Sequence, residues 1–430
     1  MSENMTFEMA EEYIEMTAGR GSKMGLEREK KLMELLGRPQ DKVNMIHIAG
    51  TNGKGSFGAM LSAVLSEAGY RVGGFSSPAL TGLTDSFRIN GEEISRETFA
   101  EVIGDIRPVC ESLDDEPTQF EVLTAAAFRL FEQEKCDIAL VECGMGGDTD
   151  STNVISAPIL SVITNVQLDH CGVLGNTVSE IALHKAGIIK RGCPVFFGGE
   201  GEALDVIRKA AEKCGSDLYV PDRSRYAHVG EKCGISQTAV RCGENEYTVS
   251  LGGCYQYENA VNVLCCADIL RSMGYDIPES ALKRGLERVR WHGRCEVLRE
   301  KPLVVYDGSH NPDGIRYAAE TIRRYLGGRV ILLTGVMADK AYELYPGMLG
   351  SLAECVYTVT PHNPRALRAD KLAQVYSQKG IEAHAYEQLG SGVRTAFRRA
   401  CESGLPMFVL GSLYMYKDVT AQLGEITEIS

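Results

Sequence analysis

The 430-residue chain lacks several features that would assign it to a specialised class of protein. No apolar run approaches the ~20 residues that a membrane-spanning helix needs, and the acidic stretch from Met1 to Arg20 has no signal-peptide core. The fourteen cysteines include no C-x-x-C pair, so the common zinc spacings are absent. A disulfide framework is not expected in so long a chain. We therefore expect a cytoplasmic protein whose cysteines are reduced.

Positive charge is also scarce, because the net charge is −13 and no dense cluster of Lys and Arg occurs. A protein that follows a nucleic-acid backbone needs a basic stripe. We therefore expect neither a nucleic-acid partner nor a membrane partner.

Alternating strand-like and helix-like runs dominate the first two thirds of the sequence, which predicts a doubly wound, mainly parallel sheet. Residues 226–252 predict β-hairpins, and a second, smaller α/β pattern begins near Leu303. We expect domains over 1–295 and 296–430, with a hinge at Trp291–Lys301. The predicted strands of the first domain are Val43–Ala49, Arg71–Ser76, Asp137–Cys143, Ile159–Val166 and Pro194–Gly198.

The most informative segment is the glycine-rich stretch that follows the first predicted strand, Gly50-Thr-Asn-Gly-Lys-Gly-Ser56. A strand, a glycine loop and a helix together form a phosphate cradle, in which Lys54 supplies a point charge. Ser56 is suited to hold a magnesium ion or to cap the helix. The loop departs from the standard Walker A pattern, because Gly55 follows the lysine in place of Ser or Thr. An ordinary strand-to-helix turn that contains a lysine remains the alternative.

Polar residues follow other predicted strands, at the edge where an open α/β sheet binds its ligands. Ser77 follows the second strand, and Glu142 precedes a loop with three glycines, a combination that suits a hard cation beside a phosphate. His170 follows a further strand. In the C-terminal domain, Asp307 and His310 share a tight turn that is suited to contact a ribose or a transferring phosphate. The alternative for His170 is a surface or core residue without a ligand, and for each of the others it is a simple turn or capped loop.

These residues stand in motifs that resemble the folylpolyglutamate synthase/dihydrofolate synthase family of the Mur ligase superfamily. The resemblance covers nearly the whole chain. The matching motifs include Gly25-Leu-Glu-Arg28, the Gly50–Ser56 loop, the Glu142–Asn153 loop, Leu168-Asp-His170, Lys185-Ala-Gly-Ile-Ile-Lys190, Gly293-Arg294 and His310-Asn-Pro312. The resemblance implies an ATP-dependent ligase that adds L-glutamate to dihydropteroate, to a folate or to both through an acyl phosphate.

The resemblance also implies roles for single residues. Lys54, Lys185 and His310 are the expected catalytic residues, and Lys185 matches a lysine that is carbamylated in the family. The expected ATP contacts are Asn52, Gly53, Lys54, Gly55, Ser56, Asn259, Arg294 and Asp307. The expected magnesium ligands are Ser77, Glu142 and His170. The expected substrate contacts are Phe120, Glu121 and Asp150. We expect ATP and Mg²⁺ as cofactors, small-molecule substrates and a monomer.

Five departures from the family pattern leave the acceptor open. Asp148 stands where the family has Arg, which predicts weaker binding of anionic, already glutamylated folates. His184 stands where the family has Glu before the modified lysine. The remaining departures are Ala79, Asp85-Ser86 and Tyr255. Two alternatives therefore remain open: a ligase of the same type with a different carboxylate acceptor, and a non-catalytic nucleotide-binding protein.

Overall fold

The computed structural model describes residues 5–21, 23, 25–229 and 233–426. The chain divides into two compact units. Unit 1 contains the described residues of 1–167, 171–223 and 259–288, and unit 2 contains those of 168–170, 224–258 and 289–430. The predicted domain bounds of 1–295 and 296–430, whose outer ends lie outside the described residues, stay a prediction.

Unit 1 is built on an eight-stranded sheet in the order β4-β3-β2-β5-β1-β6-β7-β8. Its strands are β1 (Asn44–Ala49), β2 (Val72–Phe75), β3 (Phe87–Ile89), β4 (Glu92–Glu93), β5 (Ile138–Glu142), β6 (Leu160–Ile163), β7 (Val195–Phe197) and β8 (Leu218–Tyr219). The β2–β3 and β3–β4 pairs are antiparallel, and the other pairs are parallel. All five predicted strands of this sheet are confirmed to within two or three residues at each end.

Helices cover both faces of this sheet, which explains why its central strands are apolar on both sides. The helices are α1 (Phe7–Ala18), α2 (Glu27–Leu35), α3 (Lys54–Glu67), α4 (Arg96–Glu111), α5 (Gln119–Gln133), α6 (Cys171–Leu174), α7 (Val178–Ala186), α8 (Glu202–Cys214), α9 (Gln256–Ser272) and α10 (Glu279–Arg288). One core cluster joins Phe99 and Phe128 to the sheet residue Val141. A second core cluster joins Ile181 and Ile207 to Ile163.

Unit 2 contains two sheets. The hairpin strands β9 (Tyr226–His228), β10 (Thr238–Cys242) and β11 (Asn245–Val249) form an antiparallel sheet, as the sequence predicts. The second sheet has the order β12-β13-β17-β14-β15-β16 and is parallel except for β12. Its strands are β12 (Glu296–Glu300), β13 (Leu303–Asp307), β14 (Val330–Thr334), β15 (Ala353–Val359), β16 (Ala383–Tyr386) and β17 (Met407–Leu410).

The helices of unit 2 are α11 (Pro312–Tyr325), α12 (Tyr345–Leu349), α13 (Ala369–Ser377), α14 (Leu389–Ser403) and α15 (Tyr416–Glu425). The segment Trp291–Lys301, predicted as a hinge, contains β12, which pairs along β13. The fold class is confirmed as two α/β units with mainly parallel principal sheets. Within the described residues, no helix is long and apolar enough to cross a membrane. All fourteen cysteines are free thiols.

Candidate functional site

The glycine-rich loop connects the end of β1 to the start of α3, as the sequence predicts. Gly53 caps the helix in the left-handed region, with φ of 86°. A Cβ atom on Gly53 would collide with Asn259 Oδ1, so Asn259, a predicted ATP contact, lies directly against the loop. A Cβ atom on Gly50 would likewise collide with the Thr164 side chain. Glycine is therefore required at both positions, for conformation at one and for space at both.

Hydrogen bonds from the end of β6 fix the shape of this loop. The Asn52 amide donates to Asn165 Oδ1 at 2.8 Å, and the Thr164 hydroxyl donates to the Asn52 carbonyl at 2.7 Å. Gly55 and Ser56 lie in the first turn of α3, where amide groups have no intrahelical acceptor. The helix dipole adds positive potential at this end, so the loop and helix together form a site for an anion.

Two lysines from distant parts of unit 1 converge on one carbonyl of the loop. Lys54 Nζ donates to the Gly50 carbonyl at 3.1 Å, and Lys185 Nζ donates to the same oxygen at 2.9 Å. The Lys185 side chain comes from α7 and is buried. Glu142 Oε1 lies 3.7 Å from Lys54 Nζ. Three of the predicted site residues thus lie around the predicted phosphate loop.

The predicted magnesium ligands Ser77 and Glu142 follow or end neighbouring strands, because β2 pairs with β5 in parallel. Their positions at the carboxyl ends of adjacent strands suit a shared cation. Within the described residues, no three His, Cys, Asp or Glu side chains form a metal cluster. His170, the third predicted ligand, belongs to unit 2, and its role stays a prediction.

Phe120 and Glu121, both predicted to contact the acceptor substrate, differ in whether their side chains are available to a ligand. Phe120 is half-buried, packs on Phe75 with ring centroids 5.9 Å apart, and lies against Gly144 of the Glu142 loop. Glu121 Oε2 accepts hydrogen bonds from the Thr118 amide, the Thr118 hydroxyl and Arg28 Nε at 2.7–2.8 Å. Glu121 is therefore committed to the N-terminal capping box of α5 and to an ion pair.

Asp150 is likewise engaged within the protein. Its carboxylate accepts from the Met145 amide at 2.9 Å and from the Thr152 amide and hydroxyl at 3.1 and 2.6 Å. Burial raises the pKa of Asp150, although these hydrogen bonds oppose that effect. Its main observed contribution is to hold the shape of the loop that follows Glu142.

Two departures from the family pattern, Asp148 and His184, contact each other. His184 Nδ1 lies 2.9 and 3.0 Å from the two carboxylate oxygens of Asp148. The sequence interpretation treated Asp148 as an isolated negative charge. The structure shows that this charge already has a cationic partner when His184 is protonated.

In unit 2, Asp307 organises the turn after β13. Its carboxylate accepts from the Tyr255 hydroxyl at 2.7 Å, the Cys295 amide at 3.0 Å and the Ser309 amide at 2.9 Å, and also from the Ser309 hydroxyl. Burial, with the nearby Asp307 charge, raises the pKa of Tyr255, so that this hydroxyl remains a donor. Asp307 itself is buried, and its predicted contact with ATP stays a prediction.

Arg294, a predicted ATP contact, lines a cleft of about 310 Å³ in unit 2. Trp291 and Gln237 line the same cleft. Gly308 leaves no room for a Cβ atom beside the Arg294 guanidinium group. The Arg294 guanidinium group therefore lies close against the backbone of the turn after β13.

Asp169 and Lys340 form a cluster around His310 that sequence reasoning missed. Asp169 Oδ1 lies 2.6 Å from Lys340 Nζ, and Asp169 Oδ2 accepts from Asn311 Nδ2 at 3.2 Å and lies 3.7 Å from His310 Nε2. Burial alone would raise the pKa of Asp169, but the hydrogen bond and charge of His310, together with Lys340 and His170, hold it below its usual range. Asp169 lies in the Leu168-Asp-His170 motif, but nothing local in the sequence indicates Lys340 as its partner.

The chain is similar to known proteins over most of its length. Residues 293–413 match the family described as Mur ligase, glutamate ligase domain. The chain is 36% identical over 417 residues to the dihydrofolate synthase/folylpolyglutamate synthase of Bacillus subtilis, a match that covers 94% of this chain and 96% of the relative.

Solved structures show the same similarity. Folylpolyglutamate synthase of Mycobacterium tuberculosis, complexed with ADP and AMPPCP, superposes with a TM-score of 0.88 at 26% identity, over 98% of this chain and 99% of that one. The bifunctional folylpolyglutamate synthase/dihydrofolate synthase of Yersinia pestis, complexed with AMPPNP and Mn ion, gives 0.83 at 28% identity, over 97% and 98%. With the phosphate loop and the two-unit α/β fold, these matches establish that the chain belongs to the folylpolyglutamate synthase/dihydrofolate synthase family of Mur ligase enzymes.

Proposed function

We propose that the chain uses ATP to join the amine of L-glutamate to the carboxylate of dihydropteroate or of a folate. Its family consists of ATP-dependent ligases, and the observation that carries the proposal is local. Lys54 and Lys185 converge on the Gly50 carbonyl of the phosphate loop, with Glu142 beside Lys54. A protein that only bound a nucleotide would have no need of a second buried lysine and a carboxylate at this point.

The reaction has two steps. An oxygen of the acceptor carboxylate bonds to the γ-phosphorus of ATP as the bond to the bridging oxygen breaks, and ADP leaves. The amine of glutamate then attacks the acyl carbon, loses a proton and expels inorganic phosphate. Lys54 and the loop amides would stabilise the charge that develops on the phosphoryl oxygens, which is the main requirement of phosphoryl transfer.

We assign the magnesium ion to Ser77 and Glu142, with His170 as the predicted third ligand. Oxygen donors at adjacent strand ends beside a phosphate loop suit this ion. When bound, it would neutralise phosphate charge during the transfer. The Lys54 ammonium group, 3.7 Å from Glu142 Oε1, would lie on the same phosphates.

Carbamylation of Lys185 is part of the proposal. Its side chain is 4% exposed, and burial favours the neutral amine that reacts with carbon dioxide. A carbamate keeps one N–H group, so the hydrogen bond to the Gly50 carbonyl can persist. Intact-mass measurement under carbon dioxide, with Lys185→Arg as the comparison, tests this assignment directly.

The acceptor pocket is proposed around Phe120, whose ring offers a face to a flat heterocycle. Glu121 and Asp150 would shape the pocket through Thr118, Arg28 and the Glu142 loop. Because both carboxylates already accept hydrogen bonds within the protein, we expect them to act mainly by shaping the pocket and less by contacting the acceptor directly. A cytoplasmic location and a monomeric state, both expected from the sequence, complete the proposal.

The test is ADP release by the pure protein with ATP, L-glutamate and a panel of dihydropteroate, tetrahydrofolate and unrelated carboxylates. We expect release that depends on a pteroate-type acceptor and is lost in Lys54→Ala. Lys209→Ala, an exposed lysine of α8, is the matched control and should behave as wild type. Release with an unrelated carboxylate alone would favour the different-acceptor ligase, and nucleotide binding without release would favour the non-catalytic alternative.

A further inference from the structure

The contact between Asp148 and His184 joins two segments that both carry proposed catalytic residues. Asp148 lies in the loop that begins at Glu142, and His184 immediately precedes Lys185 in the last turn of α7. The Nδ1 atom of His184 bonds to both carboxylate oxygens, at 2.9 and 3.0 Å. The two side chains are about one-third exposed, so the pair lies at the edge of the site.

Backbone contacts show that the two segments are held tightly together at this pair. The Asp148 amide donates to the His184 carbonyl at 2.9 Å. Asn153 Nδ2 donates to the Asp148 carbonyl at 2.9 Å and to the Gly187 carbonyl at 3.2 Å. A Cβ atom on Gly187 would collide with the backbone of Asp148, and one on Gly147 would lie 2.7 Å from the His184 carbonyl oxygen. The loop and the helix end therefore leave no room for relative movement without breaking contacts.

This junction fixes the two groups that face the phosphate loop. Lys185 follows His184 directly and reaches the Gly50 carbonyl at 2.9 Å. Glu142, at the other end of the clamped loop, lies 3.7 Å from Lys54 Nζ. A shift at the junction would displace Lys185 and Glu142 relative to Gly50, and small misplacements of catalytic groups cost large factors in rate.

We propose that Asp148 and His184 are positioning residues, which hold Lys185 and Glu142 in register with the phosphate loop. The inference rests on the proposed roles of Lys185 and Glu142. It also replaces the interpretation of Asp148 as the loss of a cation that would attract a glutamylated tail, because the carboxylate is directed to His184. Exchanging the two residue types for ones of the opposite charge keeps opposite signs at the two positions, so the contact can be rebuilt in reverse.

The test is a double-mutant cycle on the intact protein with Asp148→Arg, His184→Glu and the combined variant. Asp148→Arg removes the acceptor that faces His184, and His184→Glu places two carboxylates together. For each we expect kcat to fall by about 10-fold or more, with KM for ATP and for the acceptor changed less than about 3-fold. The combined variant restores opposite charges and should recover most of kcat. Asp148→Asn, which keeps a hydrogen bond to His184, should lose little.

Controls separate this role from two others. Asp205→Arg, at an exposed ion pair of α8, controls for a charge reversal on the surface and should leave kcat unchanged. If kcat tracks thermal stability alone across the cycle, or if the effects of the single variants add in the combined one, positioning is overturned. A change in KM for glutamylated acceptors that follows only the charge at position 148 would restore the tail interpretation and also overturn it.

The outcomes for the proposed function remain distinguishable. If the wild-type protein releases no ADP with any carboxylate, the proposed function fails, whatever the cycle shows. If the wild type is active and the cycle shows no coupling in kcat, only the positioning inference fails.

Discussion

The two units hold a lysine beside a carboxylate in different ways. In unit 1, Lys54 Nζ lies 3.7 Å from Glu142 Oε1, and its hydrogen bond goes to a loop carbonyl. In unit 2, Lys340 Nζ lies 2.6 Å from Asp169 Oδ1, and each side chain is 8% exposed. A buried pair at hydrogen-bond distance is neutralised internally, whereas the looser pair leaves charge for an arriving phosphate. From this comparison we expect Lys54 to act in the chemistry and Lys340 to act in the structure.

The largest expected effect is the loss of kcat when Lys54 is replaced. Replacing it with alanine should lower kcat by about 10²- to 10³-fold, because one donor to developing charge contributes on that order. The fold should remain, since the polar partners of this side chain among the described residues are Gly50 and Glu142. Steady-state ADP release gives kcat, and circular dichroism checks the fold. A variant that kept wild-type kcat would contradict the assignment of Lys54 to chemistry.

Lys340→Ala should show the opposite pattern, with a loss of stability. It leaves Asp169 buried without its cation, which costs about 3 kcal/mol in the free energy of unfolding. Lys340→Met combined with Asp169→Asn should recover most of that loss, because no charge is then left unpaired. Urea unfolding measures both. The exposed pair Arg241–Glu246 provides the control, and Arg241→Ala should cost less than about 0.5 kcal/mol. A similarly small loss in Lys340→Ala would remove the contrast between the units.

The Glu142→Gln variant tests the unit 1 pair of Lys54 and Glu142 from the side of the carboxylate. It removes the carboxylate but keeps a neutral side chain of the same shape, so the apparent magnesium affinity should fall by about 10- to 100-fold. Titration of ADP release with Mg²⁺ measures the shift. Unchanged magnesium dependence would place the cation elsewhere and leave Glu142 as a partner of Lys54 alone.

A smaller effect concerns Glu29 of α2, which is fully buried and whose two carboxylate oxygens have no hydrogen-bond partner among the described residues. Burial, together with the nearby carboxylates Glu121 and Asp150, raises the pKa of Glu29. The folded state therefore binds more protons than the unfolded state once the pH exceeds the unfolded pKa of about 4.3. The free energy of unfolding should fall as pH rises from there to the folded pKa.

Glu29→Met should remove this pH dependence and stabilise the protein at neutral pH by about 1 kcal/mol. Glu27→Met, at an exposed position of the same helix, is the control and should leave the pH dependence as in wild type. Thermal unfolding between pH 5 and pH 8 compares the three proteins. A wild-type stability that did not decline with pH would show that Glu29 is satisfied in solution.

Local patterns predicted the parts of the site that depend on neighbours in sequence. The apolar run Val43–Ala49, the glycines after it and the helical spacing beyond it specify β1, the loop and α3 within a few residues. The segment Trp291–Lys301, predicted as a hinge, contains the strand β12, which pairs with β13 and was not predicted from the sequence. Strand pairing depends on the partner as much as on the strand's own residues, so a short polar strand is hard to predict alone.

Contacts between segments that are far apart along the chain could not be predicted from the sequence. Asp148 and His184 are 36 residues apart, and Asp169 and Lys340 are 171 apart. Taken one at a time, Asp148 and His184 were unexplained departures from the family pattern. Lys340 stood in no motif that marked it as a functional residue. The internal hydrogen bonds of Glu121, Asp150 and Asp307 could not be predicted from the sequence either.

By itself, the sequence determined the class of fold, the phosphate loop and the family, because periodicity, glycine spacing and motif order are properties of the chain read in one dimension. Only the tertiary structure decided which charges are already neutralised and which remain for a ligand. That distinction depends on distances of a few ångströms between side chains from separate elements. The strength of a charge pair changes steeply with separation and burial, and neither quantity is written in the order of the residues.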